Sequence, residues 1–420
     1  MCGVAGLINK DPTYSIDITK SINNMVENLK HRGPDSSSIW INDNKNIAIG
    51  HSRLSILDLS MRGSQPMFSS SKRFIISYNG EIYNHLNLRK ELSNKTNINW
   101  KSNTDTETLL ECIEYFGLDN TLGKISGMFA FCFFDQYENK IYLVRDKIGE
   151  KPIYYGYNEN KFVFSSEITS LVSSKILKSD LDINSINMFL KYQYVPSPHS
   201  IYKNIFKLKP GSYIEIDLSK SFKKENFVFK KWWNLKDVIT SSKNRIRKDK
   251  FLIGDLKNTL ENSVNAQMIS DVPIGSFLSG GIDSSIITAI MKKYSQNKLK
   301  TFTIGLEDTQ YNEAKYAKKI ANYLNTDHHE YIINEKILLD NISNIIESFD
   351  EPFADSSQIP TYLLSKFAKR SVSVVLTGDG GDEFFGGYNR YLWSNTFIKI
   401  LKIKPFVFRC FANSSLLFRL

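Results

Sequence analysis

Cysteine is scarce in this chain. Four occur in 420 residues, Cys2, Cys112, Cys132 and Cys410, and no two stand in a C-x-x-C pair. That spacing suggests neither a disulfide framework nor a cysteine zinc site, and a reducing compartment fits it. Long apolar runs are also missing: the longest, Met128 to Phe134, is far short of the ~18 residues that span a bilayer. The opening Met-Cys-Gly-Val-Ala-Gly lacks a basic n-region and an apolar h-region, so no secretory leader is expected and a cytoplasmic location is. Internal repeats and low-complexity tracts are absent. A spread basic face is absent as well. The 54 basic and 44 acidic residues give +10, but 11 basic against 3 acidic residues fall within 220–250 and five against none within 391–420. Outside those segments the chain is slightly acidic, so neither nucleic acid nor a membrane is an expected partner. What the chain does have is 41% hydrophobic and 13% aromatic residues, enough for a sizeable core, at a length that predicts two or three domains.

Two patterns divide it. In the first half, short apolar stretches read as strands: Phe74 to Tyr78, Met128 to Phe134, Ile141 to Val144 and Phe162 to Phe164. They are mixed with two helices. One runs to His31 and sets Ile22, Met25, Val26 and Leu29 on one face. The other opens on a capping box, Thr104 with Glu107, and stops at Gly117. An α+β layered domain is expected. From about 250 the order becomes alternating: a helix with Leu256, Leu260 and Val264, a strand at Ile274 to Leu278, a helix after Asp283, a strand at Thr301 to Gly305. Another helix near Asn312 to Tyr323, the strand Glu330 to Ile333, two helices and the strand Ser373 to Thr377 follow. That alternation predicts a parallel sheet covered by helices. Boundaries are expected at 1–210, a basic connector over 211–250, and 251–420, with the Lys-rich stretch a solvated surface segment.

Chemistry enters at the amino end. Removal of Met1 would leave Cys2 with a thiol and a free α-amine, which titrates near 7.7–8.0 in an ordinary terminus. Such a residue carries its own base and needs no histidine. By itself Cys2 reads more simply as a small buried thiol at the start of a strand. Its company is more specific: Cys2-Gly3, His31-Arg32-Gly33-Pro34-Asp35, Arg53-Leu54-Ser55, Asn79-Gly80-Glu81-Ile82-Tyr83-Asn84 and Asp105. Over roughly residues 1–200 this set resembles class II glutamine amidotransferases, whose N-terminal-nucleophile (αββα) domain hydrolyses glutamine. The resemblance implies Cys2 as nucleophile, Asn79 and Gly80 as the oxyanion hole, and Arg53, Asn79, Glu81 and Asp105 as glutamine-binding residues. The residue types suit those roles, since an oxyanion needs positioned donors and an amino acid needs a bidentate cation and carboxylates.

In the second half, Ser279-Gly280-Gly281-Ile282-Asp283-Ser284-Ser285 joins an apolar strand to a helix. Backbone N–H groups of a glycine loop at a helix start bind anions, and three serine hydroxyls add donors. No Walker G-x-x-x-x-G-K-[ST] occurs. The loop looks like the S-G-G-x-D-S loop of ATP pyrophosphatases (adenine nucleotide alpha hydrolase-like), which cleave ATP between the α- and β-phosphates. By that resemblance the loop grips pyrophosphate, and Asp283 and Asp382 hold Mg²⁺, an ion suited to hard oxygen ligands. Leu278, Ile304, Thr377 and Gly378 then line the adenosine pocket. Each aspartate would otherwise be a turn or cap residue.

A glutaminase followed by an ATP-pyrophosphatase domain is similar to the glutamine-hydrolysing asparagine synthase family. The resemblance implies glutamine, aspartate and ATP as small-molecule partners and ATP with Mg²⁺ as cofactors. A β-aspartyl adenylate would be displaced by ammonia carried from Cys2 through an internal channel. A homodimer is left open. Asp379 stands where family members often have glutamate, a general base or ammonia-handling carboxylate. Members commonly extend well beyond the Gly-Asp-Gly-Gly-Asp-Glu region, to a lysine acting in adenylation. With the chain ending at Leu420, impaired synthase activity with surviving glutaminase is expected. The apolar, basic tail Thr396 to Leu420 reads as part of a shortened domain or as an amphipathic membrane-surface helix. Two rivals remain: amidation of another carboxylate, on a sugar acid or a peptide, and a catalytically silent interaction protein.

Overall fold

The computed structural model describes residues 1–11, 17–242, 250–307 and 312–403. These fall into two compact units, one of 1–273 with 335–365, the other of 274–334 with the chain from 366 onward. In the first unit twelve strands succeed one another: β1 (Gly3–Asn9), β2 (Ser36–Ile41), β3 (Ile47–Arg53), β4 (Met67–Phe68), β5 (Phe74–Ile82), β6 (Gly127–Asp135), β7 (Lys140–Arg145), β8 (Tyr154–Tyr157), β9 (Lys161–Ser165), β10 (Ile205–Lys207), β11 (Ser212–Asp217) and β12 (Phe227–Lys231). They form two six-stranded antiparallel sheets, ordered β10-β8-β9-β1-β3-β2 and β12-β11-β7-β6-β5-β4.

Side-chain alternation makes the layers. Val4, Ile8, Ile49 and Phe164 of the first sheet meet Ile75, Cys132, Leu143 and Ile214 of the second in one buried cluster, the core between the sheets. The opposite-facing residues Ala5, Leu7, Ala48 and Val163 pack with Ile22, Met25 and Leu29 from the helix Ile18–Glu27 and the turn after it. Tyr78, Phe131 and Phe133 pack with Leu109, Leu110 and Ile113 of the helix Asp105–Phe116. A strand buried on both faces reads as a continuous apolar run, as Met128 to Phe134 does. The result is the expected αββα arrangement.

Some details differ from expectation. The first helix stops at Glu27, four residues before His31, and Asn28 closes it. At the second, Thr104 Oγ1 accepts from Glu107 N–H at 3.2 Å as a capping box requires, but the Glu107 carboxylate turns back to the N–H groups of Lys101 and Ser102, both at 2.8 Å. The stretch read as a connector contains β11 and β12. β12 is an edge strand whose last four side chains face outward, so its lysines sit where a sheet edge uses charge to resist pairing with another chain. That is why composition alone suggested a solvated segment.

In the second unit four parallel strands, β13 (Ile274–Phe277), β14 (Lys300–Leu306), β15 (Asp327–Ile333) and β16 (Val374–Leu376), lie in the order β15-β14-β13-β16. The helix Ala314–Leu324 buries Ala317 and Ala321 against Leu278. The chain moves from β13 through β14 to β15 on one side, then returns to place β16 on the other side of β13. Loops leaving adjacent strands in opposite directions open a crevice at their carboxyl ends. The expected apolar tail is described only to residue 403, where Phe397 and Ile398 are exposed; Cys410 and the rest lie outside the described residues. No helix among the described residues is long and apolar enough to cross a membrane.

Candidate functional site

Cys2 stands just before β1, central in its sheet. Its Sγ accepts a hydrogen bond from Leu54 N–H at 3.4 Å and lies 3.6 Å from Leu54 O. Arg32 Nε donates to Cys2 O at 3.1 Å, while Arg32 Nη1 is paired with Glu167 at 2.7 Å. Glycine is needed at residue 33, because a Cβ there would fall 2.2 Å from Ser52 O. The turn thereby closes on β3, and Asp35 accepts from Ser55 N–H at 2.7 Å. Sequence motifs more than twenty residues apart are thus joined around one thiol. Burial pushes the Cys2 thiol above its ordinary value, against the Leu54 hydrogen bond, the terminal amine and the Arg53 charge. At neutral pH it is a thiol, so its use as a nucleophile requires a base.

β5 is tied to β3 by Ser77 Oγ to Gly50 O at 3.0 Å and by His51 Nε2 to Tyr78 O at 3.1 Å. The next two residues of β5 are Asn79 and Gly80. Asn79 is 1% exposed, and among the described residues its Nδ2 has no hydrogen-bond partner. An unsatisfied buried donor costs about 1–3 kcal/mol, so it marks a place where an acceptor belongs. At Gly80 a Cβ would lie 2.2 Å from Met128 O and 2.7 Å from Phe129 Cα. Only glycine lets β6 approach that closely.

Three polar groups complete this site. Arg53 is 5% exposed and donates to the carbonyls of Ser60 at 2.7 Å and Leu57 at 3.3 Å, and to Asp58 O. Among the described residues it has no ion-paired carboxylate, which leaves a fixed, unneutralised cation. Asp105 Oδ2 accepts from Tyr78 Oη at 2.7 Å and Ile82 N–H at 2.8 Å, and burial raises its carboxyl. Glu81 is pushed up to about 7 by burial and by the Asp105 charge, against Lys151 and the terminal amine. Asp105 is therefore more than a helix-start residue.

Sequence reading gave no role to three contributors here. Leu54 holds the thiol through its backbone, and Gly63 makes room for Arg53, since its Cβ would meet Nη2 at 2.1 Å. Lys151 is a buried lysine with Nζ 3.0 Å from Met1 Sδ. Leu54 and Gly63 act through backbone or through lack of a side chain, and Lys151 is one of many lysines, so only folding distinguishes them. A cavity of about 880 Å³ elsewhere in this unit, walled by Tyr157, Phe206 and Trp233, includes none of the expected site residues.

The second site lies at the β13/β16 switch. Gly280 adopts φ +88°, and behind it the helix Ile282–Tyr294 begins at cap residue Gly281. Ser279 Oγ and Ser284 Oγ are 3.0 Å apart, Ser284 Oγ accepts from Ser279 N–H at 3.2 Å, and Ser279 Oγ accepts from Gly281 N–H at 3.3 Å. Ser285 donates to Gly281 O. The turn is preformed, and the first N–H groups of the helix have no intrahelical acceptor. From the adjacent strand, Gly378 lies so close that its Cβ would sit 2.6 Å from Ser284 N, and a Cβ on Gly381 would be 2.6 Å from Asp283 Oδ2. Asp283 is thereby set against the loop that carries Asp382. Thr377 Oγ1 donates to Asp379 Oδ2 at 2.9 Å, so the exposed Asp379 is oriented by its own turn. Leu278 is buried, whereas Ile304, Thr377 and Gly378 are half-buried at the strand ends. Glycine backbone, hydroxyls and a helix start form a cradle suited to phosphates, beside two carboxylates suited to a hard cation.

Residues 1–233 match the family described as "Glutamine amidotransferase domain", and residues 255–414 match "Asparagine synthase". A protein of Methanocaldococcus jannaschii named putative asparagine synthetase [glutamine-hydrolyzing] 2 is 39% identical over 411 residues, covering 93% of this chain and 76% of its own length. The chain belongs to the glutamine-hydrolysing asparagine synthetase family. Asparagine synthetase [glutamine-hydrolyzing] 1 of Bacillus subtilis is 35% identical over 97% of this chain, and asparagine synthetase B of Escherichia coli 31% identical over 92%. The chain spans 61% and 65% of the length of those two relatives. Family membership agrees with an amidotransferase fold in one unit and a parallel-sheet nucleotide fold in the other.

Proposed function

We propose that this chain carries out ATP-dependent amidation of L-aspartate to L-asparagine with ammonia released from glutamine. The observation that supports it most is the Asn79 amide beside Gly80, unpartnered among the described residues, in a site that holds the half-buried thiol of Cys2 and an arginine with no ion-paired carboxylate there. Arg53 receives the glutamine α-carboxylate, and Glu81 with Asp105 receives the α-ammonium. After loss of Met1 the Cys2 amine takes the thiol proton, and Sγ attacks the side-chain carbonyl. The resulting oxyanion is held by Asn79 Nδ2 and Gly80 N–H, contacts worth about 3–4 kcal/mol each when geometry is right. Collapse passes a proton to the leaving nitrogen, giving ammonia and a γ-glutamyl thioester, which water cleaves to glutamate.

At the second site the Ser279–Ser285 loop receives the β- and γ-phosphates of ATP. Leu278, Ile304, Thr377 and Gly378 receive adenosine, and Asp379 serves as the base or ammonia-handling carboxylate. Asp283 and Asp382 are the residues that would hold Mg²⁺, which neutralises charge on the phosphates. The aspartate β-carboxylate attacks the α-phosphorus and expels pyrophosphate. Ammonia then attacks the acyl carbon, forming asparagine and releasing AMP.

The test uses the full chain. Intact mass should show loss of Met1 and one adduct on Cys2 after treatment with a diazoketone analogue of glutamine. Glutamate release should accompany aspartate-dependent AMP formation. Absence of any adduct and of glutamate release would sink the first half; AMP formation driven by another carboxylic acid and not by aspartate would sink the second.

A further inference from the structure

Lys151 combines burial with the lack, among the described residues, of an ion-paired carboxylate. It is 6% exposed, and among the described residues no carboxylate lies within ion-pair distance of Nζ; its polar neighbour is the thioether of Met1 at 3.0 Å. The residue is pinned at its backbone, with Lys151 N–H donating to Asp146 Oδ2 at 2.9 Å and Lys151 O accepting from Arg145 Nε at 2.9 Å. Asp146 makes no ion pair with the ammonium, since its oxygens accept from the N–H groups of Phe129, Ile148, Gly149, Glu150 and Lys151, although its charge still favours a charged lysine. A buried ammonium left in this state costs stability, so packing alone gives no reason for it.

We infer that Lys151 is a positioning residue for the processed amino end, whose positive charge keeps the α-amine of Cys2 in the uncharged form that can accept the thiol proton. Loss of Met1 removes the thioether that Nζ contacts at 3.0 Å, in the residue bonded to the new terminus. The other cations there are committed elsewhere: Arg32 to Glu167, and Arg53 to the carbonyls of residues 57–60. The remaining charged neighbours are acidic: Glu81 from β5, Asp105 from the helix start, the exposed Glu150 and the buried Asp146. They favour an ammonium, and Lys151 is the unspent charge that opposes them. Burial also pulls the lysine's own pKa down, with the Arg32 charge, against Glu150, Glu81 and Asp146; a charged lysine disfavours a second ammonium near it.

This inference rests on the glutaminase reading above. The test compares wild type with Lys151→Met, Lys151→Gln and Lys151→Arg as full chains, each checked by intact mass for loss of Met1. The readouts are the pH dependence of Cys2 labelling by the diazoketone analogue and of glutamate release. Replacement by Met or Gln should move the rising limb up by about one pH unit, which lowers the rate at pH 7 about fivefold. KM for glutamine should stay within about twofold, and Arg should restore the wild-type limb. A limb unchanged in Met and Gln variants, or a change confined to KM, overturns the assignment. If wild type is neither labelled nor releases glutamate, the glutaminase reading itself has failed.

Discussion

At the scale of single residues, the first site is an arrangement of unmet requirements. Among the described residues the Asn79 amide has no acceptor and Arg53 no ion-paired carboxylate, and Glu81 is raised to about 7 by burial and Asp105. Each is unfavourable in the free protein and is relieved by an amino-acid amide with its oxyanion. Asn79→Ala should therefore lower kcat for glutamate release by about 10²–10³-fold, with KM nearly unchanged. It should leave the melting temperature no lower than wild type, because an orphaned donor leaves with the side chain. A large fall in melting temperature would show that Asn79 is structural. Glu81 gives a pH-dependent counterpart. Its folded pKa lies above its unfolded value, so the native state binds more protons between about 4.5 and about 7, and this carboxyl lowers stability as pH rises through that window. Glu81→Gln should melt higher than wild type above pH 7, with the difference vanishing below pH 5. Thermal scans across pH 4.5–8 check this; a constant offset would mean that Glu81 does not titrate there.

At the scale of elements, the strands and helices carry the spacing and the glycines carry the site. β5 puts Asn79 and Gly80 in successive positions, and its pairing with β6 sets Gly80 opposite Phe129. A methyl group at residue 80 would strike Met128 O. Gly80→Ala should therefore part β5 from β6, costing about 1–3 kcal/mol by overpacking, and should abolish glutamate release even where the protein stays folded. Chemical denaturation and turnover measured on the same sample test it; near-wild-type turnover would remove Gly80 from the oxyanion site. Much of this level was legible in the sequence. The apolar runs at Phe74 and Met128, the Thr104 start, the Gly117 stop and the alternation after 250 all follow from period and capping, and the fold sets Cys2 within electrostatic reach of Arg53 and Asp105, and Glu81 within reach of Asp105 and the amino terminus. What could not be read depends on closure in space. Glu107 has the right spacing to return to Thr104, yet a loop brings nearer donors at Lys101 and Ser102. The lysines of β12 look like linker charge until the strand is seen to be a sheet edge. Lys151 has no local pattern at all; its meaning comes from the strand that buries it and from the residue that precedes Cys2.

At the scale of the whole molecule, the two sets of site residues belong to different compact units and use different physics. In the proposed reaction, glutamine chemistry would draw on a half-buried thiol and fixed donors of the antiparallel-sheet unit. Phosphate chemistry draws on a helix start and glycine turns at the carboxyl end of a parallel sheet. No residue is shared between them, so the two half-reactions should be separable by substitution. Cys2→Ala should abolish glutamate release and glutamine-dependent asparagine formation while leaving ammonium-dependent AMP formation within about twofold of wild type. Asp283→Asn should do the converse. It keeps the side-chain volume set against Gly378 and Gly381 but removes a negative ligand from the phosphate site, so AMP formation should fall at least tenfold, with glutamate release preserved. Parallel assays of glutamate and AMP on both variants decide it. Loss of both products in either variant would mean that the two chemistries depend on one common state of the protein, a coupling that two independently built sites do not require.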